Sequence, residues 1–509
     1  MTETILVLDF GGQYKELIAR MVRSLNVFAE IMPGDTPVAR IREMAPIGII
    51  LTGGPRSVNE PDAPKCDPGL FGLGVPVLGI CYGMQLMCHL LGGRIGRGAA
   101  GEYGQIEATV IAESPLFGGF GKPPSTTMVL MSHGDSVLEM PDGFLQTART
   151  DNCIAALECR EKNLYGLQYH PEAVLSPEGE RVFKNFLFDI CGGHESYKLK
   201  DYVNEQVEAI RKTVGGEKVL LALSGGLDSS VTAALLAKAV PKQLHAIFVD
   251  NGLMRLGEGD DIEAVFRDMD MHFVRVNAEG RFLARLKGVT DSEEKRKIIG
   301  EEFIRVFEEE AGKLGRVPFL AQGTIYPDIV ESGGAYGATI KSHHNVGGLP
   351  KNLGFERLIE PLSMLFKNEV RELGRRLKLP LKIIARQPFP GPGLAVRVVG
   401  EITKEKLDVL RRADHIFRQE VEKLEKRPRQ YFAVMTDSLS VGVKGDARTY
   451  DPVVALRAVI TDDFMTATAA RLPYETLEAA ARRITNELPS VSRVVYDVTS
   501  KPPATVEWL

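Results

Sequence analysis

The stretch Val219–Ala233, VLLALSGGLDSSVTA, admits few folds. Its unbroken apolar run, Val219 to Leu223, suits a strand buried on both faces, and a helical pattern starts at about Ser229. Ser224-Gly225-Gly226 leaves room between them only for a tight turn, so the stretch reads strand, loop, helix, the unit of a parallel α/β sheet. Glycines let backbone approach a ligand closely, and the hydroxyls of Ser224, Ser229 and Ser230 join the free amides of the helix start. An anion is the natural guest, phosphate foremost. A Walker loop has another spacing and ends in Lys-Ser or Lys-Thr, so a standard kinase or GTPase is disfavoured. Asp228 has two readings: a carboxylate sharing a magnesium ion with bound phosphates, or a first-turn acid that favours the helix dipole.

The same alternation of strand and helix runs from Ile5 through ILVLDF, YKELIARMVRSL, FAEIMP, IGIILTGGP and VPVLGIC. Cys81 falls on the turn between the last of these strands and the helix MQLMCHLL, flanked by Gly79 and Gly83. That setting exposes a side chain, and the helix start favours thiolate; a buried structural cysteine is the alternative. A nucleophilic thiol needs a base with an orienting partner. His170 ends the strand-like run from Leu164, and Glu172 lies two residues on, on the same side of an extended backbone. Gly53-Gly54, after another strand, suits an oxyanion hole. The other five cysteines lack such a setting, and no CxxC pair or zinc spacing occurs.

In this order GGP, GICYGMQL and YHPE resemble the class I glutamine amidotransferases. The resemblance implies that Cys81 attacks the glutamine amide, His170 shuttles protons and Glu172 orients His170. It also implies that Gly54 and the Tyr82 amide hold the oxyanion, that Gln85 contacts glutamine, and that Ser132-His133-Gly134-Asp135 lies near an interdomain face. Many relatives carry tryptophan where this chain has Leu130. The loop Ser224, Gly225, Gly226, Leu227, Asp228, Ser229 and Ser230 resembles that of the ATP pyrophosphatases, which split ATP into AMP and pyrophosphate. ATP and Mg2+ are implied, with Asp228 as the metal ligand. Lys341, His343 and His344, in KSHHNVGG, read as a lid over phosphates, and Lys367 as a second cation.

A chain of 509 residues exceeds one ordinary core, and its net charge of −5 gives no reason to expect nucleic acid or a membrane as partner. The acidic, strand-like start is unlike a signal peptide, so a cytoplasmic location is expected. Gly192-Gly193 and a polar run mark one boundary, and the Pro/Gly-dense RQPFPGPGLAVRVVG another. Over its whole length, through DFMTA and SKPPATVEW, the chain resembles the glutamine-hydrolysing GMP synthetase family. That resemblance implies two parallel-sheet α/β domains, a class I amidotransferase over 1–191 and an adenine nucleotide α hydrolase-like ATP pyrophosphatase over 195–385. A small α+β dimerisation domain over 386–509 completes the site for XMP. Arg296, Arg493, Lys501 and Glu507 are then the XMP contacts, the substrates are XMP, ATP and glutamine, and a homodimer forms through the tail. A glutamine-fed synthetase of another acceptor and an inactive regulator are the competing readings.

Overall fold

A computed structural model describes residues 3–331, 340–342, 355–461 and 466–509. The chain divides into two compact units, one built chiefly from the first 199 residues and one from Lys200 onward.

The first unit is a nine-stranded sheet. Its strands are β1 Thr4–Asp9, β2 Phe28–Pro33, β3 Gly48–Leu51, β4 Val77–Ile80, β5 Arg94–Val110, β6 Ser125–Glu139, β7 Leu145–Arg149, β8 Ile154–Cys159 and β9 Leu164–Leu167, in the order β2-β1-β3-β4-β9-β8-β7-β5-β6. The half from β2 to β9 is parallel, and β8, β7, β5 and β6 continue it antiparallel. Strands β3, β4 and β9 are buried along their whole length, as the apolar runs require of strands covered on both faces. The helix Tyr82–Leu90 packs against them with its first seven residues buried. Gly83 makes that approach possible: a Cβ there would lie 2.4 Å from the Leu51 carbonyl oxygen.

The second unit carries two sheets. In the first, β10 Val219–Ala222, β11 Leu244–Asp250, β12 His272–Asn277, β13 Phe319–Ala321, β14 Ile340–Ser342 and β15 Arg357–Ile359 take the order β12-β11-β10-β13-β15-β14, parallel except for β14. The second sheet joins β16 Gln430–Lys444, β17 Ala447–Ile460, β18 Thr468–Ala469 and β19 Arg493–Asp497, with β17 pairing all three others. One core continues through both, from Leu220 and Ile247 past Phe307 and Leu394 to Phe417, Leu456 and Ile484. The helix Lys404–Glu422 is capped by the Thr403 hydroxyl on the Lys406 amide.

One expectation shifts. The helix after the Ser-Gly-Gly turn begins at Leu227 rather than near Ser229, so Asp228 sits in its first turn.

Candidate active site

Cys81 caps the helix Tyr82–Leu90 with φ +52° and ψ −107°, a backbone rarely tolerated outside glycine. The strain turns the thiol out of the strand line toward a cavity of about 560 Å³ lined by Gly53, Gly54, Tyr82, Gln85, Ser132 and His170. His170 follows β9 across a two-residue bend, and its amide is held by the Leu130 carbonyl at 3.0 Å. Its Nδ1 lies 2.7 Å from Glu172 Oε1, whose side chain is fully buried. The pair meets as expected, although residues 171–172 form a turn rather than extended chain. Gly53 leaves the gap between His170 and Cys81: a Cβ there would come within 3.1 Å of His170 Cε1 and 3.9 Å of Cys81 Cβ.

Burial works to lower the His170 pKa, but the Glu172 carboxylate and the hydrogen bonds to Cys81 and Glu172 outweigh it and raise it to about 10. The shift favours the protonated ring, beside Cys81. Because the folded value lies above the ordinary ~6.5, the pair stabilises the fold fully below that pH. This contribution is lost as pH rises through about 10. Glu172→Gln is expected to move the alkaline limb of kcat/KM for glutamine hydrolysis to lower pH; an unmoved limb would remove Glu172 as the source of the shift. Burial pushes the Cys66 thiol up to about 11 and those of Cys88 and Cys191 to about 12, which keeps them protonated.

Gln85 reaches the same cavity, where its amide donates to the Asp135 carbonyl at 2.7 Å. Two neighbours escaped the sequence reading. Gln168 Nε2 lies 3.7 Å from Cys81 Sγ, and the ring of Tyr14 stands edge-on to His170 at 4.9 Å. Gln168 was accessible to period-two reasoning, since it precedes His170 by two residues; Tyr14 comes from the distant loop after β1, with no local signal.

In the second unit the Ser224–Ser230 loop closes on itself. The Ser224 and Ser229 hydroxyls are 2.9 Å apart, the Gly226 amide donates to Ser224 Oγ at 3.3 Å, and Ser230 Oγ donates to the Gly226 carbonyl at 2.6 Å. Gly225 has φ +71° and lies so close to Ile262 that no side chain fits. The loop borders a cavity of about 520 Å³ completed by Phe303, Phe307, Gly323, Thr324 and Asp328. Gly323 presses on the helix start, where a Cβ would be 2.9 Å from the Asp228 carbonyl carbon. Lys367, 139 residues from Asp228, brings its ammonium to 2.5 Å from Asp228 Oδ2. Arg386, which sequence reasoning passed over in RQPFPGPG, bonds the Gly225 carbonyl and Glu258. The side chain of Lys341, in β14, and both His343 and His344 lie outside the described residues.

The four tail-site residues are spread. Glu507 makes a two-pronged pair with the buried Arg397, at 2.9 and 2.7 Å, and accepts from Gln430 at 2.8 Å. Arg296, on the helix Ser292–Gly312, donates to the Leu509 carbonyl oxygen at 2.6 Å, so the helix and the tail end meet. Lys501 exchanges backbone bonds with Ala467 at 2.7 and 3.0 Å. Arg493 is held separately, its Nε donating to Ser440 Oγ at 2.5 Å.

Comparison with known proteins gives this geometry a family. The model described as Glutamine amidotransferase class-I matches residues 6–190, that of NAD synthase 196–301, and that of the GMP synthase C terminal domain 418–508. Proteins named GMP synthase [glutamine-hydrolyzing] from Acetivibrio thermocellus and Finegoldia magna are 56% and 54% identical, each alignment covering 99% of both chains. The namesake from Treponema denticola is 56% identical over 100% of this chain and 97% of its own. The chain belongs to the glutamine-hydrolysing GMP synthase family. The region matched by the NAD synthase model includes the Ser224–Ser230 loop. No helix among the described residues is long and apolar enough to cross a membrane.

Proposed function

We propose that Cys81, His170 and Glu172 release ammonia from glutamine and that the Ser224–Ser230 loop directs the ATP step. As a GMP synthase, the chain makes GMP from XMP with glutamine as nitrogen donor and ATP as second substrate. The Cys81 elbow beside a cationic His170 carries this reading.

With the Cys81 proton passed to His170, Sγ attacks the side-chain carbonyl carbon of glutamine, and the amides of Gly54 and Tyr82 receive the oxyanion. His170 gives its proton to the departing nitrogen, so ammonia leaves and a thioester remains. Water, deprotonated by the now neutral His170, hydrolyses the thioester to glutamate. In the second centre O2 of XMP attacks the α-phosphorus of ATP. Pyrophosphate departs into the loop, and ammonia then displaces AMP from C2. Adenylylation converts a poor leaving oxygen into a good one, and loop amides with Lys367 favour the departing charge.

Asp228 Oδ1 is buried without a hydrogen-bond partner among the described residues, while Oδ2 is taken by Lys367. A leftover carboxylate oxygen suits a hard divalent cation, so Asp228 would hold magnesium, which when bound spreads the charge of the phosphates. Lys341, His343 and His344 serve as lid groups in this reading. Incubation with XMP, ATP and amide-labelled glutamine tests the whole scheme: label in GMP with AMP and pyrophosphate is expected, and ADP with phosphate would sink it.

The division of labour follows 1–191 for ammonia, 195–385 for ATP and 386–509 for XMP and pairing. Arg296, Arg493, Lys501 and Glu507 bind XMP, with Glu507 pre-aligned by Arg397. Lys501→Ala is expected to raise KM for XMP roughly tenfold or more while glutamine hydrolysis stays near normal; an unchanged KM would dismiss Lys501. Pairing through the tail is supported by Leu439, Val441 and Val443, which share one face of β16 at 68, 50 and 74% exposure, beside Tyr450 at 66%. Val443→Glu is expected to shift sedimentation from dimer toward monomer with the circular dichroism unchanged, whereas a persistent dimer places the interface elsewhere. These reactions belong in the cytoplasm, where ATP and glutamine are supplied.

A further inference from the structure

Beside the Cys81 cavity, Glu102 of β5 and His133 of β6 stand opposite each other, and Cys153 enters from the loop before β8. We propose that these three side chains bind one divalent ion of the zinc class, a site separate from the reaction and independent of the mechanism above. Glu102 Oε2 is 3.2 Å from His133 Nε2 and 3.1 Å from Cys153 Sγ, and Cys153 Sγ is 3.7 Å from His133 Nε2. A tetrahedral ion with bonds of about 2.0–2.3 Å sets neighbouring ligands roughly 3.3–3.6 Å apart, so the triangle needs shifts of only a few tenths of an ångström.

The hydrogen bonds around the triangle orient it for a cation. His133 Nδ1 lies 3.0 Å from the Asp135 carbonyl oxygen, which only accepts, so Nδ1 carries the proton. That leaves the lone pair of the neutral ring on Nε2, facing a carboxylate oxygen: two acceptors in contact, which requires a cation or an extra proton between them. Outer partners hold the other ligands. Asn152 Nδ2 donates to Glu102 Oε1 at 3.2 Å, and Thr150 Oγ1 donates to Cys153 Sγ at 3.5 Å. A set of one sulfur, one imidazole and one carboxylate selects zinc or cobalt over magnesium or calcium. Glu102 and His133 are 2% and 5% exposed, whereas Cys153 is only partly buried and gives an entry path.

The ion enters by exchange: a metal–sulfur bond forms, the Cys153 S–H bond breaks, and one proton leaves to solvent. Ligation of His133 also fixes the segment Ser132–Asp135. The Ser132 carbonyl oxygen is 3.8 Å from Cys81 Sγ, and the Asp135 carbonyl holds Gln85. The ion would therefore stiffen one wall of the glutamine cavity.

Titration of the full chain with Co2+, followed by absorption, tests the site. A thiolate-to-cobalt band with tetrahedral d–d bands, saturating at one ion per chain and bleached by Zn2+, is expected. Cys153→Ser should abolish the thiolate band, and Glu102→Gln should weaken affinity tenfold or more. Cys81→Ala should leave the band in place. A band lost in Cys81→Ala but kept in Cys153→Ser would assign the ion to the catalytic thiol and overturn the proposal, as would no band in the wild type. Should the Cys153 variant fail to fold, X-ray absorption of the wild-type cobalt complex decides between one sulfur neighbour, as expected, and none.

Discussion

Cys81→Ala is expected to reduce glutamine-dependent GMP synthesis by roughly a thousandfold or more, while synthesis from added ammonium salt persists. The size follows from covalent chemistry: among the described residues no other thiol lines the cavity that His170 shares with Gly53 and Gly54. Retained ammonia use follows from the proposed separation of work, since the residues lining the cavity at the Ser224–Ser230 loop all belong to the second compact unit. Folding should survive, because alanine fills less space on the turn; relief of the φ +52° backbone would not occur, as alanine resists that conformation as cysteine does. Parallel assays with glutamine and ammonium check this, and ordinary glutamine use by the variant would displace Cys81 as the nucleophile. Cys88→Ser is the contrast: its thiol is fully buried in the core, so any loss should track thermal stability and affect both nitrogen sources alike.

Asp228→Ala is expected to fail with either nitrogen source, by about a hundredfold or more, with glutamine hydrolysis surviving at least in part. Removal of this carboxylate frees the Lys367 ammonium and deletes the buried oxygen assigned to magnesium. Both losses fall on the pyrophosphate-releasing step, before ammonia is needed. Positional isotope exchange in ATP isolates that step: exchange in the wild type and none in the variant is expected. Full ammonia-dependent turnover in Asp228→Ala would take this residue out of the ATP centre. Lys367→Ala separates the two causes, since it leaves Asp228 in place and removes only the cation.

Much of this was legible because the informative residues are neighbours in sequence. Gly79, Cys81 and Gly83 mark the strand-to-helix turn within five positions, and His170 with Glu172 falls within three. Short-range backbone geometry converts such spacing directly into position, so the expected pair does meet at 2.7 Å. The Ser224–Ser230 loop is likewise local, and its hydroxyls close on their own turn. Periodicity was weaker at element ends: a serine-rich stretch hid the helix start at Leu227, because serine and aspartate suit a first turn as well as a loop.

Contacts between distant segments could not be read in this way. The chain by itself determined the parallel α/β runs of both units, the turn at Cys81, the nearness of His170 and Glu172, and the turn at Ser224–Ser230, each from residues a few positions apart. Only the tertiary structure decided that Lys367 pairs with Asp228, that Arg386 holds the Gly225 carbonyl, that Arg397 aligns Glu507, and that Glu102, His133 and Cys153 converge. These partners lie from 20 to 161 residues apart in the chain. Side-chain chemistry permits each charge many mates, and packing of the sheets and helices selects among them.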